Sequence, residues 1–287
     1  MSTAPPAPEL FLSGVVGHVG PRRARALRLA DRALDLALRT ARVPAALDRL
    51  AERVPQRRVL ALSVYRPDSG QIGPIAEALQ RGRHTATLAL GCMGAPPAPL
   101  GRLTAASGLR GGKFENLNAL LRAAGGEHFD WLLVVDDDVV LPERFVDRLL
   151  GLCERLDLGL AQPAQTLASH AAWPVVRRRP GVLARETGFV EIGPVTAMRR
   201  DVAAELTPFP ELRFGWGLDL HWAALAHARG WRQGVLDALP VRHEQGGVAD
   251  SYAHGEAVAE AQRFLAGRPF VPAVEAARTL AVHRRLA

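Results

Sequence analysis

The chain has 287 residues, of which 48% are hydrophobic and 23% charged, a composition that excludes wholesale disorder. Its two cysteines are too few for a disulfide scaffold or a four-cysteine zinc site, and no apolar stretch approaches the ~18 residues of a membrane span. The net charge is +7, and residues 1–58 hold most of it, with 11 arginines against five acidic residues. The rest of the chain is nearly neutral and lacks the basic stripe of nucleic-acid-binding proteins. We therefore predict a cytoplasmic protein that does not bind nucleic acid.

Residues 1–58 are predicted to form a basic helical extension that begins with a Pro- and Gly-rich leader over residues 1–20. Apolar residues recur at spacings of three and four from residue 27 to residue 41, which predicts a helix. Pro44 fits the first turn of a second helix that ends near residue 53. Two interpretations stay open for residues 22–53. They either pack on the body of the protein with their arginines in water, or make peripheral contact with an anionic inner membrane face.

From residue 59 the pattern changes to short apolar strands that alternate with helices. A βαβαβ order with continuously apolar strands predicts a mostly parallel sheet with helices on both faces. Ligands of such sheets bind at the carboxyl ends of the strands. The predicted strands are residues 59–64, 85–90, 131–135 and 159–162, and the predicted helices are residues 72–80, 113–124 and 142–156.

The second half of the chain is predicted to be less regular. It has a long loop over residues 165–185, followed by strands at 189–198 and 234–243, helices at 199–206 and 219–229, and terminal helices at 256–265 and 274–286. We therefore divide the chain into the extension, residues 1–58, an α/β domain, residues 59–250, and C-terminal helices packed on that domain, residues 251–287.

The strongest functional feature is the acidic triplet Asp136-Asp137-Asp138, directly after the apolar run WLLVV. Three adjacent carboxylates repel one another unless a cation neutralises them. Because alternate residues at a strand end point the same way, Asp136 and Asp138 can share one Mg²⁺ or Mn²⁺, with His243 as a third ligand. The alternatives are a solvated acidic turn that caps the next helix and a structural histidine.

Two further charged residues lie at predicted helix starts. Lys113, the one lysine of the chain, follows two glycines, and such a turn binds diphosphate readily; it could equally be an exposed surface lysine. Asp219 follows Trp216, and partial desolvation there would raise its pKa toward that of a general base. Trp216 offers a ring on which a sugar could stack. The alternative is that Asp219 is a plain N-cap.

Glu191 interrupts an apolar run in TGFVEIGPV, where an unpaired charge is costly. We expect it either to pair with an arginine such as Arg185 or to point into the site.

Four segments, in this order, resemble nucleotide-sugar glycosyltransferases of the GT-A fold. The Gly-Lys-x-x-x-Leu-Asn segment of the family-two transferases resembles GGKFENLNALL, and their strand ending in Asp-x-Asp resembles WLLVVDDDVVLP. Their later Glu-Asp segment, which carries the catalytic base, resembles GWGLDLHWAALAHARGW. Residues 187–243 are also similar to an uncharacterised GT-A-like family of plants and bacteria. The resemblance covers about residues 59–247 and implies a Rossmann-like, mostly parallel sheet with helices on both faces, to which the N-terminal extension and the C-terminal helices are added.

Carried over residue by residue, the resemblance makes Asp136 and Asp138 ligands of Mn²⁺ or Mg²⁺ and of the donor diphosphate, and His243 the C-terminal metal ligand. It makes Asp219 the candidate base, with Leu218 standing where the family-two pattern has Glu. Glu191 joins Asp219 as a candidate catalytic residue. The residues predicted to line the nucleotide site are Ser63, Tyr65, Arg66, Lys113, Asn118, Asp136, Asp137 and Trp216.

We predict a metal-dependent transferase that moves a sugar from a nucleoside diphosphate sugar to a hydroxyl acceptor. One alternative is a nucleotidyltransferase, which would take a nucleoside triphosphate and release pyrophosphate; residues 63–73 are a poor version of its Gly-rich basic loop. The other is a non-catalytic protein that binds a sugar nucleotide or a partner, which a wide separation between the acidic triplet and His243 would favour.

Overall fold

The structure, a computed structural model, describes residues 4–13, 21–126, 128–243 and 254–285. The helices are α1 (Pro21–Thr40), α2 (Val43–Arg53), α3 (Ile72–Gln80), α4 (Lys113–Ala123), α5 (Phe145–Arg155), α6 (Arg200–Leu206), α7 (Leu218–Arg229), α8 (His254–Leu265) and α9 (Ala273–Ala276). The strands are β1 (Arg58–Tyr65), β2 (Thr85–Cys92), β3 (Thr104–Ala106), β4 (Trp131–Val135), β5 (Val139–Val140), β6 (Leu158–Gln165), β7 (Ala184–Thr187), β8 (Val195–Arg199), β9 (Arg232–His243) and β10 (Thr279–His283).

The strands form one sheet in the order β10-β7-β9-β6-β8-β4-β1-β2-β3, and β5 pairs with β9 off this path. Strand β1 is parallel to both of its neighbours, β2 and β4, and β6 is parallel to β9. Strand β8 lies antiparallel between β4 and β6. The predicted α/β fold is confirmed, with a parallel centre and antiparallel strands toward the β10 edge.

Both faces of the sheet are covered, as the continuously apolar strands predict. In β1, Leu60 and Leu62 face one apolar layer, while Val59 and Ala61 face the other. The first layer is closed by α4, α6, α7 and α8, and the second by α2, α3 and α5. This arrangement leaves the strand ends, rather than the faces, accessible to a ligand.

The N-terminal extension packs on this body. Leu47 of α2 is 1% exposed, and Ala51 lies so close to α5 that a Cβ on Gly151 would come within 3.2 Å of the Ala51 Cα. Asp48 accepts a hydrogen bond of 2.7 Å from Arg148. Burial of one leucine contributes roughly 2 kcal/mol, whereas a partly exposed ion pair contributes about 0–1 kcal/mol, so the apolar contact holds α2 in place.

Helix α1 contacts a different part of the body. The carboxylate of Asp31 accepts hydrogen bonds of 2.9 Å from the main-chain N–H groups of Leu167 and Ala168. Among the described helices, none combines the length and the hydrophobicity that crossing a bilayer requires.

Two sequence-based predictions are wrong at the β10 edge. A helix was expected over residues 274–286, but α9 ends at Ala276 and the following residues form β10, antiparallel to β7. The segment alternates exposed Leu280 and Val282 with half-buried residues, which is a strand period. Strand β7 was not predicted, and its first two residues fall in the loop expected over residues 165–185.

The charge of Arg185 in β7 is neutralised inside the protein. Its guanidinium donates to the carboxylate of Asp237 in β9 at 2.8 Å, and both side chains are 0% exposed. The strand predicted at residues 189–198 is correspondingly shorter, since it begins only at Val195.

Candidate active site

The acidic triplet Asp136-Asp137-Asp138 follows β4, whose five residues are all buried. The main-chain N–H of Asp136 donates to the carbonyl oxygen of Pro194 at 2.8 Å, which ties the triplet to the segment before β8. Each carboxylate meets a different cationic or titratable side chain. The repulsion expected from the sequence is therefore relieved within the protein.

Lys113 is the partner of Asp136. It is the first residue of α4, and its Nζ lies 2.6 Å from Asp136 Oδ1 and donates to the carbonyl oxygen of Ile192 at 3.0 Å. A Cβ on Gly193 would lie 2.8 Å from Asp136 Oδ2 and 2.9 Å from Lys113 Nζ. Glycine at position 193 therefore leaves the space that this ion pair occupies.

Arg66 is the partner of Asp137. The carboxylate accepts the Arg66 main-chain N–H at 2.9 Å and its guanidinium at 3.3 Å, while Ser69 Oγ donates to the Asp137 carbonyl oxygen at 2.7 Å. Burial raises the pKa of Asp137, although Arg66 acts in the opposite direction. Asp137 thus anchors the loop after β1.

His243 is the partner of Asp138. It ends β9, where its main-chain N–H donates to Ser169 Oγ at 2.9 Å, and its Nε2 lies 3.0 Å from Asp138 Oδ1. Burial acts to raise the pKa of Asp138, but the hydrogen bond and charge of His243, together with the charges of Arg66 and Lys113, lower it overall. Burial acts to lower the pKa of His243, but Asp138 raises it overall. His243 Nδ1 is buried and has no hydrogen-bond partner among the described residues.

The Asp138–His243 pair fits a divalent cation better than the full predicted set does. A carboxylate and an imidazole with buried, unsatisfied atoms suit Mn²⁺ or Mg²⁺ as two ligands. Asp136, expected as the third ligand, is turned toward Lys113 instead. Within the described ranges, no three His, Cys, Asp or Glu side chains form a group that could hold a metal. An ion at this pair would take its other ligands from substrate and water.

Glu191 lies in the segment between β7 and β8, close enough to Asp219, His243, Lys113 and Asp136 for their charges to affect its pKa. Its Oε2 accepts a hydrogen bond of 2.8 Å from Gln165, while Arg185, its alternative partner, is bound to Asp237. Burial, followed by repulsion from Asp219, raises the pKa of Glu191 to about 8. Glu191 is therefore directed to the site and is mostly protonated at neutral pH.

Asp219 is the second residue of α7 and is 5% exposed. Gly217, with φ +81°, precedes the helix and turns the chain into it. Asp219 Oδ1 accepts the main-chain N–H of Leu220 at 2.9 Å. Burial raises the pKa of Asp219 to about 7, so that it exchanges a proton near neutral pH. The carboxylate has no cationic partner among the described residues, unlike those of the triplet.

Two residues predicted to line the nucleotide site point into the protein. Tyr65 is 0% exposed, and its hydroxyl lies 2.7 Å from Thr104 Oγ1. Burial raises the pKa of this phenol. Ser63 is 1% exposed, and its Oγ makes no hydrogen bond to any described residue.

Asn118 and Trp216 support the loop before α7. The Asn118 amide donates to the carbonyl oxygen of Phe209 at 2.7 Å and accepts its N–H at 2.8 Å. Trp216 is half-buried, and its ring meets that of His254 edge-on, with centroids 5.0 Å apart. Asn118 is therefore placed as a loop support, and Trp216 keeps part of its surface open.

Sequence analysis missed two buried glutamines on β6. Gln162 Oε1 accepts the main-chain N–H of Glu191, and Gln165 Nε2 binds its carboxylate. Gln162 Nε2 and Gln165 Oε1 have no hydrogen-bond partners among the described residues. The available signal was their position, since polar side chains at the carboxyl end of an apolar strand face the ligand edge of such a sheet.

Comparisons with known proteins were made for the whole chain. No family model matches it, and neither does any curated protein. Among solved structures, it is similar to a mannosyltransferase from Pyrobaculum calidifontis in complex with GDP-Man and Mn²⁺, with 15% identity, a TM-score of 0.45, and coverage of 74% of this chain and 67% of that one. It is also similar to glucosyl-3-phosphoglycerate synthase from Mycobacterium tuberculosis in complex with Mg²⁺ and UDP, with 14% identity, a TM-score of 0.48, and coverage of 78% and 84%.

A third similar structure is Staphylococcus aureus TarS, with 11% identity and a TM-score of 0.48, where the match covers 68% of this chain and 38% of that one. At these identities and TM-scores we take no substrate, metal or residue role from any of these structures. The fold class rests on the chain's own topology, which is a Rossmann-like sheet with helices on both faces and an acidic triplet at the end of β4. That topology is of the α/β class expected from the sequence, and the assignment to the GT-A fold stays a prediction.

Proposed function

We propose that this protein is a glycosyltransferase that moves a sugar from a nucleoside diphosphate sugar to a hydroxyl acceptor with the help of a divalent cation. One observation carries the proposal: two kinds of carboxylate meet at one edge of the sheet. Each acid of the triplet has a cationic or titratable partner and the pKa of Asp138 is lowered, while Glu191 and Asp219 have pKa values raised to about 8 and about 7. Environments that separate the pKa values of neighbouring acids are typical of sites that divide binding from proton transfer.

Lys113 and Asp136 would form the donor side of the site. Their side chains are 27% and 29% exposed, whereas that of Asp138 is 7% exposed, so the Lys113–Asp136 pair is the part that a ligand reaches first. A diphosphate bound at the start of α4 would form an ion pair with the ammonium group of Lys113. The positive end of the helix dipole would also attract the anion.

Asp138 and His243 would hold the cation. A bound Mn²⁺ or Mg²⁺ supplies neutralisation of the charge that develops on the diphosphate leaving group. Asp138 contributes a carboxylate with a lowered pKa, and Ser169 fixes the main chain of His243. Arg66, which is held by Asp137, keeps the loop after β1 beside the triplet.

Asp219 would act as the base. With a pKa of about 7, a large fraction of it is ionised at neutral pH and can accept the acceptor's hydroxyl proton. The acceptor oxygen bonds to the anomeric carbon, and the bond from that carbon to the diphosphate oxygen breaks, with its electron pair leaving on the diphosphate. Glu191, mostly protonated, would donate a hydrogen bond to a sugar or acceptor hydroxyl.

The experiment that tests this function is a product assay on the purified full-length chain. A panel of nucleoside diphosphate sugars is incubated with and without Mn²⁺, and released nucleoside diphosphate is measured with and without a mixture of hydroxyl acceptors. We expect metal-dependent release from one donor class, accelerated by an acceptor. A parallel arm measures pyrophosphate released from nucleoside triphosphates plus sugar phosphates. Pyrophosphate release in that arm, with no turnover of any donor sugar, would contradict the proposal in favour of nucleotidyl transfer.

A further inference from the structure

Helix α1 carries an exposed row of arginines and leucines. Leu29 and Leu36 are 57% and 61% exposed. Spacings of three and four residues place the members of the row on one side of the helix. The α1 stripe consists of Arg22, Arg25, Leu29, Arg32, Leu36 and Arg39, all exposed.

The stripe carries no negative charge because both acidic residues of α1 face the body. Asp31 accepts the main-chain N–H groups of Leu167 and Ala168 at 2.9 Å. Asp35 Oδ1 lies 2.7 Å from a guanidinium nitrogen of Arg178. The helix is therefore anchored through its carboxylates, and its opposite face is both cationic and apolar.

Some arginines elsewhere on the protein have acidic partners. Arg199 binds both Asp157 and Asp201, with nitrogen–oxygen distances of 2.7 and 2.8 Å, and Arg229 binds Glu205 at 2.6 Å. By contrast, no arginine of the α1 stripe forms an ion pair with any residue in the described ranges. On this face of α1, positive charge without an acidic partner therefore lies next to two exposed leucines.

We propose that the α1 stripe docks on an anionic lipid surface, with its arginines at the phosphate headgroups and Leu29 and Leu36 inserted between them. A lipid surface is the occupant that matches both components, since it offers negative charge and an apolar interior. A second copy would bring two cationic stripes together, and a nucleic-acid backbone would leave the leucines in water. The docking does not depend on glycosyl transfer.

The test is flotation of the full-length protein with vesicles of phosphatidylcholine alone or mixed with phosphatidylglycerol. We expect binding only to the mixed vesicles, weakened by high salt. Reversing two charges, in Arg25→Glu with Arg32→Glu, should weaken partitioning at least about 25-fold, since each of the two basic residues lost contributes roughly fivefold at an anionic surface. Leu29→Ser with Leu36→Ser should weaken binding while leaving its salt dependence in place.

The matched control is Arg122→Glu with Arg263→Glu, which makes the same change in net charge at exposed positions on α4 and α8. The control should bind within about twofold of wild type if the stripe, rather than total charge, is responsible. Thermal unfolding checks that each variant is folded. Failure of the wild-type protein to bind the mixed vesicles, an equal loss in the control, or lipid-free dimerisation abolished by the Arg25 and Arg32 changes would overturn the proposal.

Discussion

Two groups of carboxylates lie at the same edge of the sheet and differ in state. The triplet Asp136-Asp137-Asp138 has a cationic or titratable partner for each acid, and the pKa of Asp138 is lowered despite its burial. Among the described residues, Glu191 and Asp219 are bound only by neutral donors, and their pKa values rise to about 8 and about 7. The partner of Asp138 thus offsets the effect of burial on its pKa, whereas Glu191 and Asp219 lack such a partner.

Because their charge partners and pKa values differ, the two groups of carboxylates are suited to different roles. Acids paired with Lys113 and His243 are suited to organising a cation and a diphosphate, while acids that titrate near neutral pH are suited to moving a proton. Substitutions that remove the charge of one acid at a time should therefore have different consequences in the two groups.

The largest effect is expected from Asp138→Asn. The substitution removes the charge that pairs with His243 and one of the two proposed metal ligands. Because a metal contributes several kcal/mol to charge stabilisation, we expect donor turnover to fall about a thousandfold. Steady-state release of nucleoside diphosphate measures this. Asp68→Asn, at an exposed position, is the control and should keep normal turnover. Wild-type rates in Asp138→Asn would remove Asp138 from the metal site.

Asp219→Asn should lower turnover about a hundredfold or more while leaving donor affinity unchanged, since general-base catalysis contributes about 10²–10⁴-fold. The measurement separates kcat from the donor KM. Glu191→Gln, made in parallel, tests the neighbouring acid. A larger loss of kcat in Glu191→Gln than in Asp219→Asn would transfer the role of base to Glu191.

Lys113→Met should act mainly on donor binding. Loss of a charged hydrogen bond costs roughly 1.5–3 kcal/mol, so we expect the donor KM to rise about tenfold or more, with a smaller change in kcat. Arg122→Met, at an exposed position on the same helix, is the matched control. Equal KM values in the two variants would mean that Lys113 serves only to neutralise Asp136.

The smallest effect is a pH dependence of stability. In the folded state the pKa of Glu191 is raised from its ordinary value near 4.5 to about 8, so the folded protein binds more protons than the unfolded chain across that range. Stability therefore falls as pH rises from about 5 to about 8. Glu191→Gln removes this penalty, and its Tm should rise relative to wild type as pH increases.

The control for the pH experiment is Glu77→Gln, whose side chain is 73% exposed and should show no such trend. If the Tm difference between Glu191→Gln and wild type stays constant from pH 5 to pH 8, the pKa of Glu191 is not raised in the folded protein, and the prediction is wrong.

Local patterns were enough to predict the centre of the fold and the proximity of several candidate site residues. The apolar run of β4, the acidic triplet behind it, and the Gly-Gly-Lys start of α4 are contiguous in sequence, and the predicted bounds of β4 are those observed. Lys113 and His243 were assigned to the neighbourhood of the triplet, where the structure places them.

What sequence reasoning missed depends on partners far along the chain. Arg185 can lie in a buried strand because Asp237 in β9 neutralises it, and the Tyr65 hydroxyl lies next to Thr104 Oγ1 inside the protein. Asp136 forms an ion pair with Lys113, and its role as a metal ligand stays a prediction. Pairs of residues this far apart in the chain produce no periodic pattern in the sequence from which they could be predicted.

The most direct test of the central claim is the thermal stability of wild-type protein and Asp138→Asn with a panel of nucleoside diphosphates, each with and without Mn²⁺. A ligand that binds the folded state at 100 times its Kd adds about 2.7 kcal/mol of stability. We predict a Mn²⁺-dependent rise in Tm with at least one diphosphate for wild type and its loss in Asp138→Asn. No shift with any diphosphate in a well-folded sample, or a shift confined to nucleoside triphosphates, would contradict the assignment of this site to a nucleoside diphosphate sugar.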